Sequence, residues 1–118
     1  MVFDDGYLRV TAIANQHTDR SFSYLLEGEG KRVLFTGDLK RPSCDFPLPA
    51  LDAPLDVMVG EAAHFDPEEY APVLQGKPIG AVYIHHFVPR REPGIGVLAQ
   101  LLTPVPVQTV TDGWEITL

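Results

Sequence analysis

Apolar and polar positions alternate cleanly over Ser21–Glu27, which places Phe22, Tyr24 and Leu26 on one face of a strand. Gly28-Glu29-Gly30 turns the chain back into Lys31–Thr36, where Val33, Leu34 and Phe35 form a second run that stops at Gly37-Asp38. The two runs predict a β-hairpin. Upstream, Asp5-Gly6 reads as a turn and Tyr7–Ala14 as a strand, with Leu8, Val10 and Ala12 on one face. Asn15-Gln16-His17-Thr18-Asp19-Arg20 is a polar connection. Residues 41–54 hold Pro42, Pro47, Pro49 and Pro54 and predict a loop, because proline lacks the backbone donor of helices and central strands. Asp56–Val59 reads as a short buried strand ending at Gly60-Glu61.

The second half has its own start and stop signals. Asp66-Pro67-Glu68-Glu69 predicts a helix start, with Asp66 as cap, Pro67 in the first turn and Glu69 closing a capping box. Gln75-Gly76 ends that helix. Ile79–Ile84 predicts another buried strand, with His85-His86 at its C-terminal end, and Ile95–Leu102 a short helix. Val105–Val110 and Trp114–Leu118 flank Asp112-Gly113, a hairpin turn. The expected fold is a single domain over residues 1–118, an α/β (α+β) layer arrangement of about six strands, mainly antiparallel or mixed, and two helices.

Composition narrows the classes. The 118 residues fit one domain, and 45% apolar with 21% charged residues is too apolar for disorder. A net charge of −7 argues against non-specific nucleic-acid binding, which needs a basic surface. It leaves room for an enzyme whose metal ions supply local positive charge. Cys44 is the only cysteine, so no intrachain disulfide forms and a reducing cytoplasm is expected. No apolar run approaches the roughly 18 residues of a spanning helix, so no membrane association is expected.

The candidate chemistry lies at strand ends. Asp38 follows a β-run with glycine before it, and a carboxylate there can bridge two metals; a turn aspartate is the plainer reading. His17 is either a loop histidine or a ligand. His85 and His86 are adjacent and point to opposite faces of an extended chain, so at most one serves a given site, and chain position does not choose between them. His64, in Gly60-Glu61-Ala62-Ala63-His64-Phe65, has the placement of a group that orients a metal ligand or transfers a proton, or of an ordinary loop histidine. The chain has no P-loop, no G-x-G-x-x-G and no G-x-S-x-G.

Taken in order, these segments resemble the C-terminal half of the metallo-β-lactamase fold superfamily. His17, then Ser21–Glu27, then Gly30–Asp38 looks like that family's third and fourth metal motifs. Asp56–Phe65 resembles the next strand and its acidic end, Val82–Phe87 the strand carrying the last histidine ligand, and Asp112-Gly113 the closing hairpin. The ligand histidine in that pattern precedes an aromatic or similar residue, which His86 matches better than His85. The resemblance implies one half of an αββα sandwich and a binuclear zinc site. It also implies that His17 binds the first metal, Asp38 bridges both and His86 binds the second; Asp38, and His64 on its placement alone, are the catalytic candidates. Metal-activated water would then attack an ester or phosphodiester of a small-molecule or phosphodiester substrate. The antibiotic-degrading members have cysteine at the bridging position, so Asp38 favours the broader hydrolase and phosphodiesterase branch.

One departure matters. The family's H-x-H-x-D-H motif is absent from this chain. Three ligands shared by two zinc ions leave both short of the three protein ligands a catalytic zinc takes. The expectation is a fragment or one half of a split protein, lacking a complete active site on its own. A half-sandwich exposes the sheet face meant for its twin, and such a face drives association. The competing expectation is therefore a non-catalytic interaction domain that pairs with itself, as a homo-oligomer, or with a partner chain.

Overall fold

The computed structural model describes residues 3–4, 6–14, 22–37, 39–62, 65–87 and 89–110, with the backbone alone at 3, 4, 86 and 87. In chain order the elements are β1 (Phe3–Asp4), β2 (Leu8–Ala14), β3 (Phe22–Gly28), β4 (Lys31–Phe35), α1 (Pro42–Asp45), β5 (Leu55–Ala62), α2 (Ala71–Leu74), β6 (Ile79–Phe87), α3 (Glu92–Leu101) and β7 (Val107–Thr109). The described residues form one seven-stranded sheet in sequence order. Strands β1 to β4 are antiparallel neighbours, whereas β5, β6 and β7 each run parallel to the strand before.

The hairpin forms where the alternation predicts it. Gly28 pairs with Lys31 across a two-residue turn. Both turn residues have positive φ, 52° at Glu29 and 77° at Gly30, the twist that matches right-handed strands. Asp66 and Glu69 close the expected capping box, with the Asp66 N–H donating to Glu69 Oε2 at 2.9 Å. The chain after it starts as a 3-10 turn, Pro67–Tyr70, and only then becomes α2. The proline-rich stretch is not plain loop. It contains α1 and a 3-10 turn, Leu48–Asp52, and both begin with proline in the first turn, where the missing N–H would have no helical partner. The turn residue Asp5 and the closing hairpin at Asp112-Gly113 lie outside the described residues.

Layering follows from topology. Strands β4 to β7 are laid down side by side in sequence order, and crossovers between parallel strands share one hand. Successive helices therefore land on the same face. The core lies there: Leu25, Leu34, Met58, Val82 and Ile84 of the sheet pack with Phe46, Phe65, Tyr70, Leu74, Ile95 and Leu98.

The opposite face carries rows in register: Val10, Leu26, Val33, Val57 and Ala81 in one, and Ala12, Tyr24, Phe35, Val59 and Tyr83 in the next. Every one of these is apolar or aromatic. Val57 and Val59 are buried by their neighbours yet stand outside the core cluster. Phe22, Tyr24 and Phe35 are 39%, 40% and 40% exposed. This is the face to which the alternation assigned Leu8, Val10, Ala12, Phe22, Tyr24 and Leu26.

Candidate functional site

The C-terminal ends of parallel strands share one edge of a sheet, and that edge is where open α/β sheets bind ligands. Here β4, β5 and β6 end side by side, with Phe35 paired to Val59 and Val59 to Tyr83. The β2–β3 connection joins the same edge, because Ala14 pairs with Phe22 and Tyr24 with Phe35. So four described points share this edge: Ala14 and Phe22, which flank residues 15–21, Gly37 just before residue 38, Ala62 at the end of β5, and His85 near the end of β6. His17, Asp38 and His64 themselves lie outside the described residues, as does the side chain of His86. Among the described residues no group of three or more His, Cys, Asp or Glu side chains comes together to hold a metal.

What the structure does describe is how tightly this edge is built. Thr36 continues from β4 with its N–H bonded to Val59 O at 3.0 Å. Its carbonyl accepts the Ser23 hydroxyl at 2.6 Å, and its own hydroxyl donates to Gly37 O at 2.9 Å. Gly37 has φ +62°, and a Cβ there would stand 2.9 Å from Phe22 O. Only glycine meets both conditions without strain. Beyond residue 38, the Leu39 N–H donates to Glu61 Oε1 at 2.8 Å. The Lys40 and Arg41 N–H groups donate to the two carboxylate oxygens of Asp45, at 2.8 and 3.2 Å. Both acids are buried.

Beneath the end of β5, Tyr70 is fully buried and its hydroxyl donates to Glu61 O at 2.6 Å. Phe65 and Phe46 meet its ring edge-on, with centroids 5.2 and 6.2 Å away. Burial pushes the Tyr70 phenol far above its ordinary range. The nearby Glu61 and Asp45 charges push the same way, and hydrogen bonds to the Thr36 side chain and the Glu61 backbone oppose them. Tyr70 is thus a neutral strut. Arg41 reaches Glu69 at 3.6 Å and ties the bend after β4 to the turn after β5.

At the end of β6 the register steps from Glu61–His85 to Ala62–Phe87. His86 is the extra residue of a β-bulge. Bulges re-aim a side chain and interrupt strict alternation, and they are frequent beside active sites. By contrast, the shallow depression lined by Tyr7, Leu8, Leu26, Glu29 and Val33 lies at the hairpin-turn end of the sheet and contains no histidine or cysteine.

No family model matches the sequence, and no curated protein matches it. Solved structures do match in fold. One is from Thermotoga maritima, assigned to the metallo-beta-lactamase superfamily as a Zn-dependent hydrolase. It is 14% identical at TM-score 0.63, over 92% of this chain and 68% of that one. Another, from Parabacteroides distasonis and assigned as a metal-dependent hydrolase, is 18% identical at TM-score 0.65, over 87% of this chain and 50% of that one. This chain has the fold of one half of a metallo-β-lactamase-type αββα sandwich: a mixed sheet with helices on one face. No helix among the described residues is long and apolar enough to cross a membrane.

Proposed function

We propose that this chain supplies the C-terminal ligands of a metal-dependent hydrolase. The observation that supports the reading is that the described residues flanking His17, Asp38 and His64 in sequence share one sheet edge with the end of β6, where the register shifts, and that the backbone just after residue 38 is braced. His17 and His86 offer imidazole nitrogen and Asp38 carboxylate oxygen, a donor set that suits zinc. Asp38 is the bridging candidate, because it alone of the three has two oxygens to share. Two zinc ions held there would supply Lewis acidity and water of lowered pKa for attack on an ester or phosphodiester. His64, just beyond the end of β5, is the candidate proton donor to the leaving group. Without H-x-H-x-D-H, the remaining ligands must come from elsewhere than these 118 residues. The lone cysteine, exposed Cys44, fits the reducing cytoplasm.

The test is zinc per chain after gel filtration without chelator, compared with Asp38→Ala and His86→Ala. The expected result is retained zinc in the parent chain and loss in both variants. Equal zinc in all three would sink the assignment.

A second reading rests on the open sheet face. Its rows of apolar residues, with Phe22, Tyr24 and Phe35 exposed, favour a domain that pairs through this face with a second copy of itself or with another chain's sheet. The two readings are compatible, since a facing sheet is also where missing ligands would be carried.

A further inference from the structure

Three consecutive backbone N–H groups follow Asp38, and two buried carboxylates bind all three. Glu61 takes Leu39, and Asp45 takes Lys40 and Arg41. On the other side of Asp38, the polar groups of Thr36 and the Gly37 carbonyl are bound by Val59, Ser23 and the Thr36 hydroxyl. The backbone is thus fixed on both sides of one residue. Glu61 is wholly buried and 22 positions away from Leu39 in sequence, at the end of the neighbouring strand. A buried carboxylate is a costly way to satisfy an amide, because its desolvation exceeds that of a neutral acceptor. What it offers in return is a shorter, stronger bond to the N–H. Such bracing suits a side chain that must be held within a fraction of an ångström, and it suits a metal ligand best.

We propose that Glu61 and Asp45 are positioning residues that fix the backbone of Leu39, Lys40 and Arg41, directly after Asp38 in sequence, and thereby set metal affinity. The proposal rests on the reading of Asp38 as a ligand. Neither acid needs to touch the metal; each acts through the backbone it holds.

The test uses the 118-residue chain, with zinc as probe, and two readouts: zinc dissociation constant by chelator competition, and amide hydrogen exchange at Leu39, Lys40 and Arg41. Glu61→Leu removes the acceptor. It should release the Leu39 amide and weaken zinc by about ten- to hundredfold. Glu61→Gln keeps an acceptor oxygen and should stay within about threefold of the parent chain. Leu98→Ala, in the core on α3, is the control: it should lower thermal stability and leave zinc affinity of the folded chain unchanged. Unchanged Leu39 exchange in Glu61→Leu overturns the proposal, as does a Glu61→Gln chain no better than Glu61→Leu. If Glu61→Leu does not fold, Asp45→Ala against Asp45→Asn decides the same question at Lys40 and Arg41. Equal zinc affinity in the parent chain and Asp38→Ala overturns the ligand reading, and the positioning role with it. That failure is recognised by a Leu39 amide that still loses protection in Glu61→Leu.

Discussion

Gly60 sits where a side chain has no room. A Cβ there would stand 2.8 Å from the Tyr70 hydroxyl and 3.0 Å from Met58 Cε. Tyr70 cannot yield, because its ring is enclosed by Phe65 and Phe46 and its hydroxyl is bonded to Glu61 O. Gly60→Ala should cost about 1–3 kcal/mol by overpacking, read as a lower urea midpoint with unchanged slope. Tyr70 also gives a pH dependence with a definite sign. Its folded-state pKa is raised by burial above the ordinary value of 10.0. Above about pH 10 an unfolded tyrosine ionises while the buried one does not, so the unfolded state binds fewer protons and stability falls as pH rises. Below that pH the contribution is fully present. Tyr70→Phe should therefore flatten the alkaline loss of stability, while lowering stability near neutral pH by about 1–3 kcal/mol through the lost hydrogen bond. Denaturation midpoints at neutral pH and above pH 10 check both effects.

At the scale of elements, the β3–β4 turn leaves room for improvement. Glu29 adopts φ 52°, a conformation that disfavours residues with a Cβ, whereas asparagine tolerates it. Glu29→Asn should add about 0.5–1 kcal/mol, measured as a higher melting temperature with the sheet unchanged. This hairpin was legible because its signals are local: alternation, a glycine-bounded turn and a stop at Gly37-Asp38. The capping box at Asp66 and Glu69 was legible for the same reason. Two short helical elements were not, because Pro42 and Pro49 read as breakers and only the fold shows that each sits in a first turn. The brace of Glu61 on Leu39 left no local trace either. It joins residues 22 apart through burial that no spacing rule encodes. The bulge at His86 is likewise a property of pairing between β5 and β6 and has no signal in β6 alone.

For the molecule as a whole, the question is what the sheet face does that carries no helix among the described residues. The sheet is covered by helices on one side because its parallel strands follow one another in order, so the two faces cannot share the helices between them. The open face nevertheless has the composition of an interior, with aromatic residues across β3, β4 and β6 in direct register. Water is a poor neighbour for such a surface, and its burial against a second sheet gains roughly 25 cal/mol for each Å² of apolar area covered. The face should therefore control association and leave the helix-side core untouched. The double variant Tyr24→Thr, Phe35→Thr removes exposed aromatic area while placing a β-branched residue, which suits a strand, at both positions. Sedimentation velocity should find the parent chain associating in a concentration-dependent way and the variant shifted toward monomer, with the same far-ultraviolet circular dichroism. A parent chain that stays monomeric at high concentration would count against pairing through this face. A variant that associates as strongly as the parent would move the interface elsewhere on the molecule.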